Sequence, residues 1–181
     1  MRDLSLHILD LIENSLRANA TIVSLTIAED SERDLLTVTV EDNGSGLSVS
    51  QEVATDPFYT TKSAKHTGLG LSLLRQAAER ADGALTLRKS RLGGLAVEAT
   101  MRLSHVDRSP LGDVAASVSS VVCTNPDLEV WCTFCAGQRQ TAVKVSDVVQ
   151  QCPAGQRYGL AIARQVSERI RSALEDLEIH V

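Results

Sequence analysis

Aromatic residues make up only 3% of this 181-residue chain, and no apolar run is long enough for a membrane span or a signal peptide. The core must therefore be built from Leu, Val, Ile and Ala, and a cytoplasmic protein without a membrane partner is the expectation. Basic charge is also in short supply. Eighteen Lys and Arg stand against 23 Asp and Glu, for a net charge of −5, which argues against a nucleic-acid partner held on a broad basic surface. Cysteine is absent until Cys123, and all four (Cys123, Cys132, Cys135, Cys152) fall in the last third. In a reducing compartment such residues are thiols or metal ligands rather than disulfides. No tandem repeat or low-complexity tract appears. What is present is ordinary for a globular chain: 43% hydrophobic and 23% charged residues. The length suits one full domain, or a domain of about 100 residues with a smaller appendage.

The most informative stretch is Glu41-Asp42-Asn43-Gly44-Ser45-Gly46-Leu47. The preceding residues alternate, so Leu36, Val38, Val40 and Asp42 share one face of a strand, the face that meets the core. A carboxylate there costs free energy unless donors reach it. The chain offers few obvious ones, which suggests a donor from outside. Gly44 and Gly46 let backbone approach a ligand closely. The same Asp-Asn-Gly also reads as a simple turn after a strand.

Leu4 to Ala18 predicts a helix with Leu4, Ile8, Leu11, Ile12, Ser15 and Leu16 inward, Asp3 or Ser5 as N-cap and Asn19 as terminator. Its polar stripe is His7, Asp10, Asn14 and Arg17. Thr21 to Ala28 and the strand carrying Asp42 predict an antiparallel hairpin. Residues 48–67 lose periodicity, as a functional loop does. Gly68-Leu69-Gly70-Leu71 opens a second helix closed by Gly83, and two strands follow around Gly93-Gly94. Helices on one face of a mixed, mainly antiparallel sheet make an α+β two-layer sandwich.

Three separated pieces, Asp10-Leu11-Ile12-Glu13-Asn14, Asp42-Asn43-Gly44-Ser45-Gly46 and Gly68-Leu69-Gly70-Leu71, resemble the N, G1 and G2 boxes of the Bergerat-fold ATPases. That group holds histidine kinases, gyrase, mismatch-repair ATPases, heat-shock chaperones and anti-sigma kinases. Pro57-Phe58-Tyr59-Thr60-Thr61-Lys62 is similar to the F box of histidine kinases, whose catalytic ATP-binding domain is the nearest match. The resemblance covers residues 1–104. It implies ATP and Mg²⁺, with Asp42 accepting a hydrogen bond from the adenine amino group and Asn14 ligating the metal. It also implies nucleotide contacts from Gly44, Gly46, Phe58, Thr61, Lys62, Gly68, Leu69, Gly70 and Leu71, the G2 glycines offering N–H groups to the phosphates. Lys62 is the side-chain phosphate contact, ahead of Lys65 and His66. Asp10 stands where ATP-hydrolysing members carry a glutamate that activates water, so it is the candidate catalytic residue, as base or as a contact near the metal. His7, one turn earlier, makes a structural hydrogen bond or acts beside Asp10. The first box begins within ten residues of the N-terminus, so no phosphoacceptor hairpin is expected before it, and His7 does not match the phosphoacceptor pattern.

Residues 104–112 compose a linker to a C-terminal α+β region at 105–181, which resembles no recognised family. A short helix at 113–122, strands at 129–133 and 141–145, a helical turn at 147–151 and an amphipathic helix from Gly155 are expected there. The helix stripe is Tyr158, Ile162, Val166, Ile170, Ala173 and Leu177, which packs inward or pairs with a second copy as a homodimer. Cys132-Thr-Phe-Cys135 has the spacing of a metal knuckle, and Cys123 and Cys152 would complete a zinc or iron–sulfur site. Positions three apart on a strand, however, point to opposite faces.

Two functions from different classes follow. One is a free-standing ATP-dependent kinase or ATPase acting on or with a separate protein, its partner or phosphoacceptor, as in two-component signalling. The other is a non-enzymatic ATP sensor whose 48–67 loop and C-terminal region regulate a partner.

Overall fold

The computed structural model describes residues 3–46, 70–153, 155 and 157–179. Among them are five helices and six strands: α1 (Leu4–Arg17), β1 (Ile22–Asp30), β2 (Leu35–Asp42), α2 (Gly70–Arg80), β3 (Ala84–Lys89), β4 (Leu95–Arg102), α3 (Val114–Thr124), β5 (Glu129–Ala136), β6 (Arg139–Lys144), α4 (Val145–Gln151) and α5 (Gly159–Asp176). The strands form one open sheet in the order β3-β4-β2-β1-β5-β6. Only β1 and β5 run parallel; the other neighbours are antiparallel. This is the expected two-layer α+β sandwich.

Period-two alternation makes one sheet face. Val23, Leu25 and Ile27 of β1 register with Asp42, Val40 and Val38 of β2 and with Val130, Cys132 and Phe134 of β5. All of these except Asp42 are apolar and nearly sealed from water beneath the helices. Each large aliphatic side chain buried there contributes about 1.5–3 kcal/mol relative to exposure. The opposite face carries Thr26, Glu98, Trp131 and Thr133, each only partly covered.

Helix α1 contacts both α2 and α3, so it is the middle rib of the helix layer. Asp3 caps it by accepting from the Leu6 N–H at 3.2 Å. Two further first-turn donors are met from far along the chain: Leu4 N–H donates to the Pro110 carbonyl at 2.9 Å and Ser5 N–H to the Leu111 carbonyl at 2.8 Å. A helix start leaves four such donors to be satisfied. Asn19 ends the helix in the left-handed region, φ 59°. At the end of α2 that conformation falls on Asp82 (φ 55°) rather than on Gly83. Gly83 is instead pressed on the Thr100 backbone, where a Cβ would lie 1.8 Å from the carbonyl oxygen.

The last third differs from a tethered appendage. Its strands β5 and β6 extend the same sheet, α3 packs on α1, and one hydrophobic core includes residues from Leu4 to Ile179. The linker by composition is likewise tied down, since Leu111 is 1% exposed. The α5 stripe from Ile162 to Leu177 is buried within the chain, chiefly against α3, which leaves none of it for a homodimer. Tyr158 is the exception, at 72% exposure. No helix among the described residues is long and apolar enough to cross a membrane.

Candidate functional site

Asp42 ends β2 with its side chain on the helix-covered face and is 4% exposed. The donors that the sequence did not reveal come from three elements. Ser15 Oγ on α1 donates to Oδ2 at 2.7 Å, and the N–H groups of Gly44 and Leu95 donate to Oδ1 at 2.9 and 3.1 Å. An ionised carboxylate accepts about four hydrogen bonds, two per oxygen. Oδ1 is therefore filled, and Oδ2 retains one lone pair for a donor from outside. Ser15 was legible only as a hydroxyl set into an apolar stripe. Leu95 carried no signal, because its contribution is a backbone amide.

Backbone proximity explains the second site feature. A Cβ on Gly94 would fall 2.1 Å from Asp42 Oδ1 and 2.6 Å from the Gly44 amide nitrogen. The β3–β4 turn thus closes on the Asp42 loop, and the Gly94 N–H donates to the Asp42 carbonyl at 3.0 Å. Gly44 backs on the Ala18 carbonyl, and Gly46 takes φ 71°. Asn43 is structural here: its side chain accepts from the Thr21 and Ile22 N–H groups, both at 2.9 Å, and so pins the loop to the start of β1.

One residue before Ser15 on α1, Asn14 turns toward a different group. Its Nδ2 donates to Asp10 Oδ2 at 3.1 Å, and its Oδ1 accepts from Arg17 Nη1. Arg17 also pairs with Glu13 at 2.9 Å. Asp10 in turn abuts α2: a Cβ on Gly70, the first helical residue, would lie 1.7 Å from Asp10 Oδ2. Only glycine admits that approach. Helix α1 therefore holds both halves of the site, with Ser15 on Asp42 at one end and Asp10 with Asn14 at the N-terminus of α2 at the other. Leu71 follows Gly70 on α2 and packs partly buried against the core. Phe58, Thr61, Lys62, Lys65, His66, Gly68 and Leu69 lie outside the described residues.

His7 is 3% exposed, and its Nδ1 has no hydrogen-bond partner among the described residues. The structural hydrogen bond expected of it is absent at that nitrogen, which leaves an orphan costing about 1–3 kcal/mol. Burial is the main influence pushing its imidazole below the ordinary histidine range, while the Asp10 and Asp3 carboxylates pull the other way.

Asn14 Oδ1, the atom that would ligate Mg²⁺, accepts from Arg17 in this structure; Mg²⁺ takes few protein oxygens and keeps phosphate and water ligands. Such a site needs no protein cage, and among the described residues no cluster of three or more His, Cys, Asp or Glu is placed to hold a metal. Cys123, Cys132, Cys135 and Cys152, sought as a zinc or iron–sulfur centre, form no such cluster among the described residues. All four are free thiols. Cys132 points into the core from β5 and Cys135 to the other face, because strand side chains alternate. Burial also pushes the Cys132 thiol up to about 12.

The family described as histidine kinase-, DNA gyrase B-, and HSP90-like ATPase matches residues 2–105. The sensor histidine kinase CpxA of Escherichia coli K12 is 35% identical over 92 residues, 48% of this chain and 20% of that one. The chain thus spans about a fifth of that relative's length. The crystal structure of the ATP-binding domain of PrrB from Mycobacterium tuberculosis is 28% identical and covers 54% of this chain and 64% of its own, at a TM-score of 0.42. The N-terminal domain of a DNA repair protein covers 79% of this chain and 52% of its own at a TM-score of 0.50 and 12% identity, a likeness of fold that extends into the last third.

Proposed function

The chain belongs to the histidine kinase-, DNA gyrase B-, and HSP90-like ATPase family, and from that premise we propose that it binds Mg-ATP and cleaves the γ-phosphate, as an ATPase or as a kinase for a separate protein. Asp42 Oδ2 takes the adenine amino group on its remaining lone pair. Asn14 holds the metal through Oδ1, and Gly44, Gly46, Phe58, Thr61, Lys62, Gly68, Leu69, Gly70 and Leu71 surround the nucleotide. Magnesium, when bound, would be held by Asn14 and would neutralise phosphate charge. The acceptor, where transfer occurs, is a partner protein of two-component type in the cytoplasm. Residues 1–104 carry the nucleotide, and 105–181 brace the helix that positions it.

The observation that supports chemistry over mere binding is the Asp10 carboxylate, held by Asn14 and seated against Gly70 at the N-terminus of α2. Helix N-termini favour phosphate. A carboxylate beside that position is suited to orient or deprotonate a water or hydroxyl attacking phosphorus. Asp10 has a shorter reach than glutamate, and the close approach to Gly70 offsets this. Purified protein with Mg-ATP is expected to release phosphate or to label a protein from the cell. ATP binding with neither outcome leaves the sensor reading in its place.

A further inference from the structure

We propose that the cavity between the start of α3 and the end of α5 binds a small primary alkylammonium ion, its apolar chain lying on the cavity wall and its charged end meeting the Glu175 carboxylate.

The cavity measures about 230 Å³, and an apolar cavity of about 150 Å³ already holds benzene. A chain of about four to six carbons therefore fits. Val114 and Ala115 of α3, Leu174 of α5 and Ile179 beyond it form the wall, and each belongs to the core with an exposure of 4% or less. Water on such a surface finds few polar partners, so an apolar chain displaces it favourably. Among the described residues no aromatic side chain lines the cavity. That argues against a quaternary or methylated ammonium, since those cations are held by aromatic cages.

The charges on the rim set the sign of the ligand. Arg171 donates to Asp113 Oδ2 at 2.8 Å, and Asp113 Oδ1 accepts from the Ala116 N–H, also at 2.8 Å, so these two groups are spent on each other and on α3. Arg139, near the end of α5, is likewise committed to the carbonyls of Asp176 and Leu177 and to the Glu178 carboxylate. Glu175 is different. Its carboxylate has no partner among the described residues, and it stands in the last turn of a helix that carries no basic residue there. The helix dipole is itself negative at that end. A cation relieves both, whereas a carboxylate or a phosphate is repelled. A primary ammonium also brings three donors, enough for the carboxylate and for water at the open side. On the same rim Gly112 lies against Asp3, so the site adjoins the segment whose Pro110 and Leu111 carbonyls brace the helix carrying Asp10, Asn14 and Ser15.

The test is a titration of the full chain, without nucleotide, with n-pentylammonium, 1-pentanol and pentanoate in turn, followed through the NMR methyl signals of Val114, Leu174 and Ile179. The ammonium is expected to shift them saturably with a millimolar Kd, as suits so small a ligand. The alcohol is expected to bind roughly fivefold more weakly, and the carboxylate more weakly still. Glu175→Gln, at an exposed position, is expected to abolish the advantage of the ammonium over the alcohol and to leave alcohol binding intact. Absence of a saturable shift at those methyl groups overturns the proposal. So does an alcohol or a carboxylate that binds as tightly as the ammonium, or a preference for the ammonium that survives Glu175→Gln.

Discussion

Ser15 Oγ donates to Asp42 Oδ2 at 2.7 Å across 27 positions of sequence, joining the middle helix to the last residue of the central strand β2. Asn14, the next residue back, faces Asp10. A rigid helix thus fixes how far Asp42 stands from the Asp10–Asn14 pair.

Asp42→Asn is expected to weaken ATP by roughly 10- to 100-fold, the equivalent of about 1.5–3 kcal/mol for a hydrogen bond to a charged group. Ser15→Ala removes one internal donor and lowers stability by about 1–2 kcal/mol, with a smaller effect on ATP. Calorimetric titration and thermal melts measure both. Undiminished ATP affinity in the Asp42 variant sinks its assignment.

Gly70→Ala puts a methyl group where Asp10 Oδ2 lies, 1.7 Å away. Helix α2 must shift, at a cost of about 1–3 kcal/mol, and ATP affinity falls with it. Adding Asp10→Gly to the same chain is expected to recover much of the melting temperature without recovering turnover. A double-mutant cycle with no coupling between the two positions contradicts the contact.

Asn14→Ala is expected to make ATP binding indifferent to Mg²⁺, whereas chelating the metal weakens ATP binding to the wild type. Titrations with and without EDTA compare them. A variant that keeps the wild-type metal dependence shows that the metal is held by another group.

Alkaline stability carries a signature of Cys132. Burial holds its thiol up to about 12, against an ordinary 9.0. Between those values the unfolded chain ionises this thiol and the folded chain does not, so the unfolded state binds fewer protons and stability falls as pH rises. The slope reaches at most about 1.4 kcal/mol per pH unit. Cys132→Ala is expected to flatten it in denaturant titrations above pH 9, where an identical slope in both proteins refutes the cause.

The sequence disclosed whatever repeats with a period or sits in a short motif. The alternation of Leu36, Val38 and Val40 put Asp42 inward, and the α1 stripe put His7, Asp10, Asn14 and Arg17 on one face. It was silent on partners brought together by register. Leu95 reaches Asp42 through a backbone amide, and Gly94 was readable as a turn but not as the wall of a site. The last third misled for a related reason. Its polar linker composition suggested a boundary, yet Leu111 is buried and Pro110 and Leu111 lend their carbonyls to α1. Spacing alone also made Cys132 and Cys135 look like a pair, which the pleat of β5 separates.

Those two carbonyls have a consequence for biosynthesis. The helix that carries Asp10, Asn14 and Ser15 leaves the ribosome about a hundred residues ahead of its brace, so its opening turn stays incomplete until residue 111 has emerged, and β1 lacks one neighbour until β5 follows. Pairings so distant in sequence close slowly. Chains leave the ribosome at roughly 5–20 residues per second, so the nascent N-terminal segment waits several seconds, half-assembled, for its brace. A ribosome-bound series of increasing length is therefore expected to gain ATP binding abruptly once β5 is free of the exit tunnel, and not at the earlier point where the last nucleotide-binding motif emerges.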